Sequence, residues 1–420
     1  MSPLTPRAPR RVVIIGAGAA GSMAAIFAAR GGAETTLLER TRDGGRKILI
    51  SGGGRCNVLP MHLDESRFVT DSSPNLLHRM LRAWPLREQI AFFENELHLP
   101  LAEEVESSKL FPMSNKARDV RDGLLAYATR AGATLRMSTV VTGFRPLDGG
   151  WRVECDGAPP IDADAVIVAT GGLSVPTTGS DGLGLRELAR LGHTVHPVYA
   201  ALTPITATHS PFRELSGVSL RVKLSARDDA AKRAATATGG FLFTHQGYSG
   251  PSVLDVSHVV ARSRVDSLGS ARLTVQWTEL GAAEWEDALR PQGNRTVTGA
   301  LRALLPDRLA AVLLTLANVE STRSLAELRR QERIRLIEVL VSGELPWTGD
   351  EGYRKAEVTG GGVSLAEVHA HTMESRRHPG LHICGEVLDA FGPVGGYNFF
   401  WAWATGRAAG LGASAEKVRT

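Results

Sequence analysis

The sequence predicts an α/β fold: a parallel sheet whose chain is split by inserted β-rich and helical segments. Three observations carry this. Near the start, the apolar run Val12–Ile15 meets the turn Gly16-Ala17-Gly18-Ala19-Ala20-Gly21, and an alanine-rich helical pattern follows. A second buried-type strand, from Val166, ends in Thr170-Gly171-Gly172, and the glycine-rich texture returns near residue 356. Between these parts, from about 197, the pattern changes to short strands and then to amphipathic helices.

The elements follow in order. Arg11–Ile15 reads as a buried strand, Ala19–Arg30 as a helix and Thr35–Glu39 as the next strand, a unit that demands parallel pairing. Residues 74–98 carry helical apolar spacing, as does Lys116–Ala131 with Val120, Leu124 and Ala128 on one face. Strands are expected over Thr134–Phe144, Trp151–Cys155 and Ala165–Ala169. Beyond 197, Leu220–Ser225, Gly240–Thr244 and Ala271–Trp277 read as strands. The polar, repetitive stretch Arg227–Gly239 reads as an exposed hairpin loop. Asp307–Leu316 and Ser324–Val341 read as helices. The division expected is a nucleotide-binding domain over 1–196 and 356–420, a β-rich domain over 197–281 with a return through 343–355, and a helical domain over 282–342.

Composition sets bounds on function. With 420 residues, the chain has room for two or three domains. Its cysteines, Cys56, Cys155 and Cys384, lie far apart without a CxxC, which argues against a disulfide framework or a cysteine metal site. His369 and His371 lack a third partner, so no metal is expected. No apolar run reaches the ~18 residues a membrane span requires, and a reducing cytoplasm is the expected setting. The net charge of +4 is concentrated in 197–275, where nine Lys and Arg face five Asp and Glu. Such an excess suits an anionic partner or an ordinary solvated surface.

The glycine turn has the context that gives it meaning, with a strand before, a helix after and an acid, Glu39, closing the next strand. Gly16 makes the tight turn, Gly18 admits a diphosphate close to the backbone, and Gly21 lets helix and strand pack. Free amides at Ala19 and Ala20 and the helix dipole stabilise phosphate charge. Glu39 is expected to accept from a ribose hydroxyl. The segment Gly45-Arg46-Lys47-Ile48-Leu49-Ile50-Ser51-Gly52-Gly53-Gly54-Arg55-Cys56-Asn57 adds cations and a bare backbone suited to a flat ligand. A third element, Gly385-Glu386 through Asp389, Gly392, Gly395, Gly396, Tyr397 and Asn398, leads into a helix whose N-terminus suits the negative edge of a flavin.

On these residues the chain resembles the BaiN/YhiN-type, aminoacetone-oxidase-like NAD(P)/FAD-dependent flavoproteins. The matching stretches are GRKILISGGGRCN (45–57), KLFPMSNKARDV (109–120), ATGGLSVPTTGSDGLG (169–184), FTHQGYSGPSVLDVS (243–257), VTGGGVSLAEV (358–368) and GEVLDAFGPVGGYNFFWAWATG (385–406). The resemblance implies a Rossmann-like, glutathione-reductase-like FAD domain with a β-barrel-like insertion and a small helical one. It implies FAD contacts at the Gly16–Gly21 turn, Glu39, Arg46-Lys47, Gly53-Gly54, Val141, Thr170-Gly171, Glu386 and Asn398. Arg40, Ser51, Gly52, Arg55, Asn57, Gly385, Gly396 and Tyr397 complete the expected cofactor shell.

Members of this family are linked to amine oxidation, to enone reduction and to reduction of a uridine in ribosomal RNA, all hydride chemistry at flavin N5. The leading expectation is a C=C reductase acting on such a uridine or on a small enone. The alternatives are a peroxide-forming amine oxidase and a non-catalytic RNA- or partner-binding flavoprotein. With one GxGxxG turn, no resident NAD(P) domain is expected, which leaves NAD(P)H as a transient reductant or another protein as the reductant of the flavin. Candidate proton donors are Cys56, whose thiol a neighbouring Arg55 would acidify, His245 and Tyr397. Lys109, Ser114 and Lys116 precede a helix, where positive charge is costly unless an anion offsets it.

Overall fold

The computed structural model describes residues 8–105, 108–266 and 271–415, and the chain divides into two compact units. The first comprises residues up to Val198 and from Val358 onward; the second spans Tyr199–Glu357.

The first unit is organised by a five-stranded parallel sheet in the order Leu381–Ile383, Ala165–Val168, Arg11–Ile15, Glu34–Leu38, Thr134–Arg136. Its central strands are runs of Val, Ile and Leu because both faces are covered. The helix Ala19–Arg30 is buried along nearly its whole length and packs on the C-terminal helix Tyr397–Ser414. That approach depends on small residues. A Cβ at Gly406 would stand 2.4 Å from the Ala20 carbonyl oxygen, and one at Gly410 would stand 2.5 Å from that of Ala24. The helix pair thereby draws the far end of the sequence onto the first glycine turn. The unit also holds two three-stranded antiparallel sheets: Val141–Leu147, Gly150–Cys155 and Ala158–Ala163; and Leu59–Pro60, Lys109–Pro112 and Leu101–Glu104.

The second unit holds a seven-stranded antiparallel sheet in the order Gly343–Glu344, Arg272–Gln276, Ser219–Asp228, Arg233–Phe243, Gly247–Ser249, Ile205–Thr206, Gly349–Asp350. The helices Pro251–Val265, Ala282–Ala288, Val297–Arg302, Asp307–Leu316 and Arg330–Ser342 belong to the same unit. Sheet and helices share one core, in which Phe241, Phe243, Tyr248, Trp277 and Trp285 are fully buried.

Several expected elements are corrected. Arg227–Gly239 is not a loop: Ser219–Asp228 and Arg233–Phe243 pair from Ser219↔Leu242 to Asp228↔Arg233, leaving a short turn. The inward positions there include Ala237 and Gly239, whose small side chains hid the period-2 signal. Thr134–Phe144 is two strands, broken after Arg136, with a bulge between Val141 and Gly143. The 74–98 pattern is split by Pro85 into Pro74–Arg82 and Leu86–Ala91, followed by one wide turn of π-helix over Phe92–Glu96. The helix expected over Ser324–Val341 starts at Arg330, after a single 3₁₀ turn over Leu325–Glu327.

Candidate functional site

The site is assembled in the first unit at the carboxyl ends of the parallel strands. Gly16 follows Arg11–Ile15 with φ of 103°, a conformation that side chains disfavour. A Cβ there would stand 2.6 Å from the Ala169 carbonyl oxygen, and one at Gly21 would stand 1.8 Å from that of Gly16. Both glycines are therefore fixed by packing within the protein. Gly18 differs. Its φ of −79° is open to any residue, and nothing lies within 4 Å of where its Cβ would be. The helix beginning at Ala19 has no side-chain cap and no acid in its first turn. Space without a side chain, beside uncapped amides, fits a diphosphate.

Glu39 is buried at the end of Glu34–Leu38. Its Oε2 accepts from the Ala17 amide at 2.8 Å, and its Oε1 accepts from the amide and hydroxyl of Thr41, both at 2.7 Å. Three of the carboxylate's roughly four acceptor positions are taken. The carboxylate thus braces the glycine turn and retains capacity for one ribose hydroxyl.

The glycine loop presents the same two kinds of backbone. Gly52, Gly53 and Gly54 all have left-handed φ, 55°, 67° and 87°. A Cβ at Gly53 would meet nothing within 4 Å, and one at Gly54 would meet only the Leu49 carbonyl oxygen, at 3.9 Å. Beside them, Asn57 Oδ1 is a buried acceptor with no donor among the described residues. A ligand hydroxyl or N–H would satisfy it. The Ser51 hydroxyl donates to the Ile48 carbonyl at 2.8 Å and holds the loop's entry.

The cations expected near the diphosphate do not behave alike. Arg46 donates to Asp43 at 2.8 Å, and Arg40 pairs with Asp181 at 2.5 Å. Arg55 donates to Glu104 at 2.8 Å and to the Gly52 carbonyl at 3.4 Å, and stacks its guanidinium 4.1 Å from the centre of the Phe111 ring. Lys47 joins distant segments. Its Nζ donates to the Ser174 hydroxyl at 2.5 Å and to Glu386 Oε2 at 2.6 Å. Glu386 Oε1 accepts from Ser174 Oγ at 2.6 Å and from the Thr359 amide at 2.9 Å.

Thr170 and Gly171, whose φ is 70°, continue from Ala165–Val168 toward this network, and a Cβ at Gly171 would stand 3.8 Å from Glu386 Oε2. Gly385, at φ 79°, rests against Ala20 and donates to the Thr405 hydroxyl at 3.0 Å. Val141 is buried on the neighbouring small sheet. Gly396, at φ 95°, lies on the Leu59 backbone, where a Cβ would come within 2.4 Å. Asn398 closes the loop onto itself: its Oδ1 accepts from the Gly392 amide at 2.9 Å, and its Nδ2 donates to the Gly392 carbonyl at 3.0 Å. Asp389 anchors the loop from below, accepting from the Asp71 and Ser72 amides and the Ser72 hydroxyl, each at 2.9 Å. Its burial pushes that carboxyl up from the ordinary carboxylate range. Ser174 and Thr359 were not expected as site residues; short polar side chains inside long motifs give no spacing signal.

The three expected proton donors separate clearly. Cys56 is fully buried, and burial pushes its thiol up to about 12. The acidification expected from Arg55 does not occur, because that guanidinium is turned to Glu104. Tyr397 is buried, with its hydroxyl donating to the His62 carbonyl at 3.2 Å and accepting from the Asp64 amide at 3.3 Å. It is a structural bracket rather than a free acid. His245 lies in the second unit, exposed on the turn after Arg233–Phe243.

The chain matches the HI0933-like protein Rossmann domain over residues 10–412. It belongs to that family. An HI0933-like relative from Escherichia coli, named ribosomal RNA dihydrouridine synthase, is 31% identical over 94% of this chain and 95% of its own. Another, the 3-dehydro-bile acid delta(4,6)-reductase of Clostridium scindens, is 31% identical over 96% of this chain and 99% of its own. A 3-ketosteroid-delta4-(5alpha)-dehydrogenase from Rhodococcus jostii RHA1 is similar in structure, with 16% identity, a TM-score of 0.47 and coverage of 99% of both chains. This HI0933-like chain is a flavoprotein oxidoreductase with a Rossmann-like FAD-binding domain. Among the described residues, no helix is long and apolar enough to cross a membrane.

Proposed function

We propose that this HI0933-like protein reduces a carbon–carbon double bond conjugated to a carbonyl, with NAD(P)H as the transient electron donor. The observation that carries the reading is the match, over nearly the full chain, to two relatives whose named activities both saturate a double bond in a ring. The substrate class is a ring enone, either a uridine in ribosomal RNA or a free small molecule.

FAD supplies hydride chemistry at its N5 position when bound. The protein's part is to hold and orient it. In this reading the amides of Ala19 and Ala20 and the open backbone at Gly18 take the diphosphate, and Glu39 takes a ribose hydroxyl. Lys47 and Glu386 fix the segments on either side of Thr170-Gly171. Gly53, Gly54 and Asn57 form a bare floor with one waiting acceptor, and the Gly395–Asn398 turn closes the opposite side. His245 is the proton donor proposed for the substrate carbon, as the candidate whose side chain is exposed.

The test is anaerobic stopped-flow reduction with NADH and NADPH, followed by mixing with a steroid enone, with dihydrouridine-free ribosomal RNA, or with oxygen. Reoxidation by an enone or by the RNA, faster than by oxygen, supports the reading. Reoxidation by oxygen alone, with stoichiometric hydrogen peroxide, contradicts it and makes the protein an oxidase.

A further inference from the structure

We propose that Lys109 supplies the positive charge that stabilises the reduced flavin beside the Gly395–Gly396 turn. Lys109 opens the strand Lys109–Pro112 and lies in register with Pro60 on one side and Glu104 on the other. Its aliphatic stem runs along Gly395: a Cβ at that glycine would stand 3.2 Å from Lys109 Cε and 3.5 Å from Cγ. Gly395 has φ of 109°, a backbone conformation that favours glycine.

The ammonium of Lys109 is the unusual part. The side chain is partly buried, yet among the described residues it forms no hydrogen bond and no ion pair. Its cross-strand neighbour Glu104 is bonded to Arg55 instead. The other cations of the site, Arg46, Lys47 and Arg55, each hold a carboxylate. The helix Tyr397–Ser414 starts two residues after Gly395, with no acid in its first turn. A cation beside the positive end of a helix is repelled unless negative charge enters between them. Two-electron reduction of a flavin, with one proton taken at N5, leaves a negative charge over N1 and the C2 carbonyl. The pairing of an unpartnered lysine with this turn suits that charge. The inference rests on the reading above that FAD lies against this turn.

The experiment compares the holoproteins of wild type, Lys109→Met, Lys109→Gln and Lys109→Arg by anaerobic, dye-equilibrated reductive titration. Bound FAD is quantified first. The expected result is full FAD occupancy in all four, with the reduced-to-oxidised ratio at a fixed potential falling at least tenfold in K109M and K109Q. That is about 30 mV in the two-electron potential. K109R is expected to stay near wild type. An unchanged potential in K109M and K109Q overturns the proposal. Loss of oxidised FAD from both variants also overturns it, because Lys109 would then be an anchor for the cofactor rather than for its reduced charge. A wild type that carries no FAD removes the underlying reading instead.

Discussion

Glu386 accepts from Lys47 Nζ at 2.6 Å, which fastens the segment after the first glycine turn to the C-terminal loop 339 residues later. Ser174 and Thr359 complete the knot, so four separate stretches of chain meet at one carboxylate. Replacing Lys47 with Met leaves the Glu386 side chain, about one-fifth exposed, without its cation. The expected loss is about 2 kcal/mol of stability, with weaker FAD binding. Urea denaturation of the apoprotein and fluorescence titration with FAD measure the two effects. Glu386→Gln, which keeps the acceptor, is expected to cost less.

Cys56 gives a pH signature. Its thiol is raised from 9.0 to about 12 by burial. A native group that holds its proton above the unfolded pKa stabilises the fold below that value and progressively less above it. Stability is therefore expected to fall as pH rises from about 9 toward 12. Cys56→Ala should show a shallower fall between pH 9 and 10.5 in urea midpoints. Equal slopes for the two proteins would remove Cys56 from the balance.

Glu367 works in the opposite direction. Its hydrogen bonds from Arg377, at 2.5 and 3.1 Å, hold its carboxyl down at about 2 from an ordinary 4.5. The stabilisation is complete above pH 4.5 and is lost as pH falls toward 2. Glu367→Gln should be less stable than wild type at pH 7, and the gap should narrow by pH 3. Denaturant midpoints at the two pH values check this.

His245→Asn is expected to leave FAD content, melting temperature and reduction by NAD(P)H unchanged, because the side chain is exposed and in the second unit. Reoxidation by an enone should slow at least tenfold, the ordinary contribution of a general acid. Identical reoxidation rates would eliminate His245 as the proton donor.

Much of the first unit was legible in the sequence. Arg11–Ile15 and Ala19–Arg30 are found where the apolar run and the alanine pattern put them, since both strand and helix are buried over nearly their whole length and their sequences carry little else. What escaped was decided by residues with no patterning signal. Ala237 and Gly239 concealed a strand because a small inward residue looks like loop composition. Arg55 was expected to act on Cys56, its chain neighbour, but Phe111 and Glu104, more than forty residues away, claim it. The hub at Glu386 includes Ser174 and Thr359, which only the folded chain brings together.

The central claim is that the Gly16–Gly21 turn contains two structural glycines and one reserved for a ligand. Gly21→Ala drives a methyl into the Gly16 carbonyl and should cost the apoprotein about 3 kcal/mol. The most direct measurement is on Gly18→Ala, whose added methyl meets nothing within 4 Å among the described residues beyond its chain neighbours. The account predicts an apoprotein melting temperature within a degree or so of wild type, with FAD affinity reduced at least tenfold by titration. Unchanged FAD affinity in Gly18→Ala would contradict the assignment of this turn to the diphosphate.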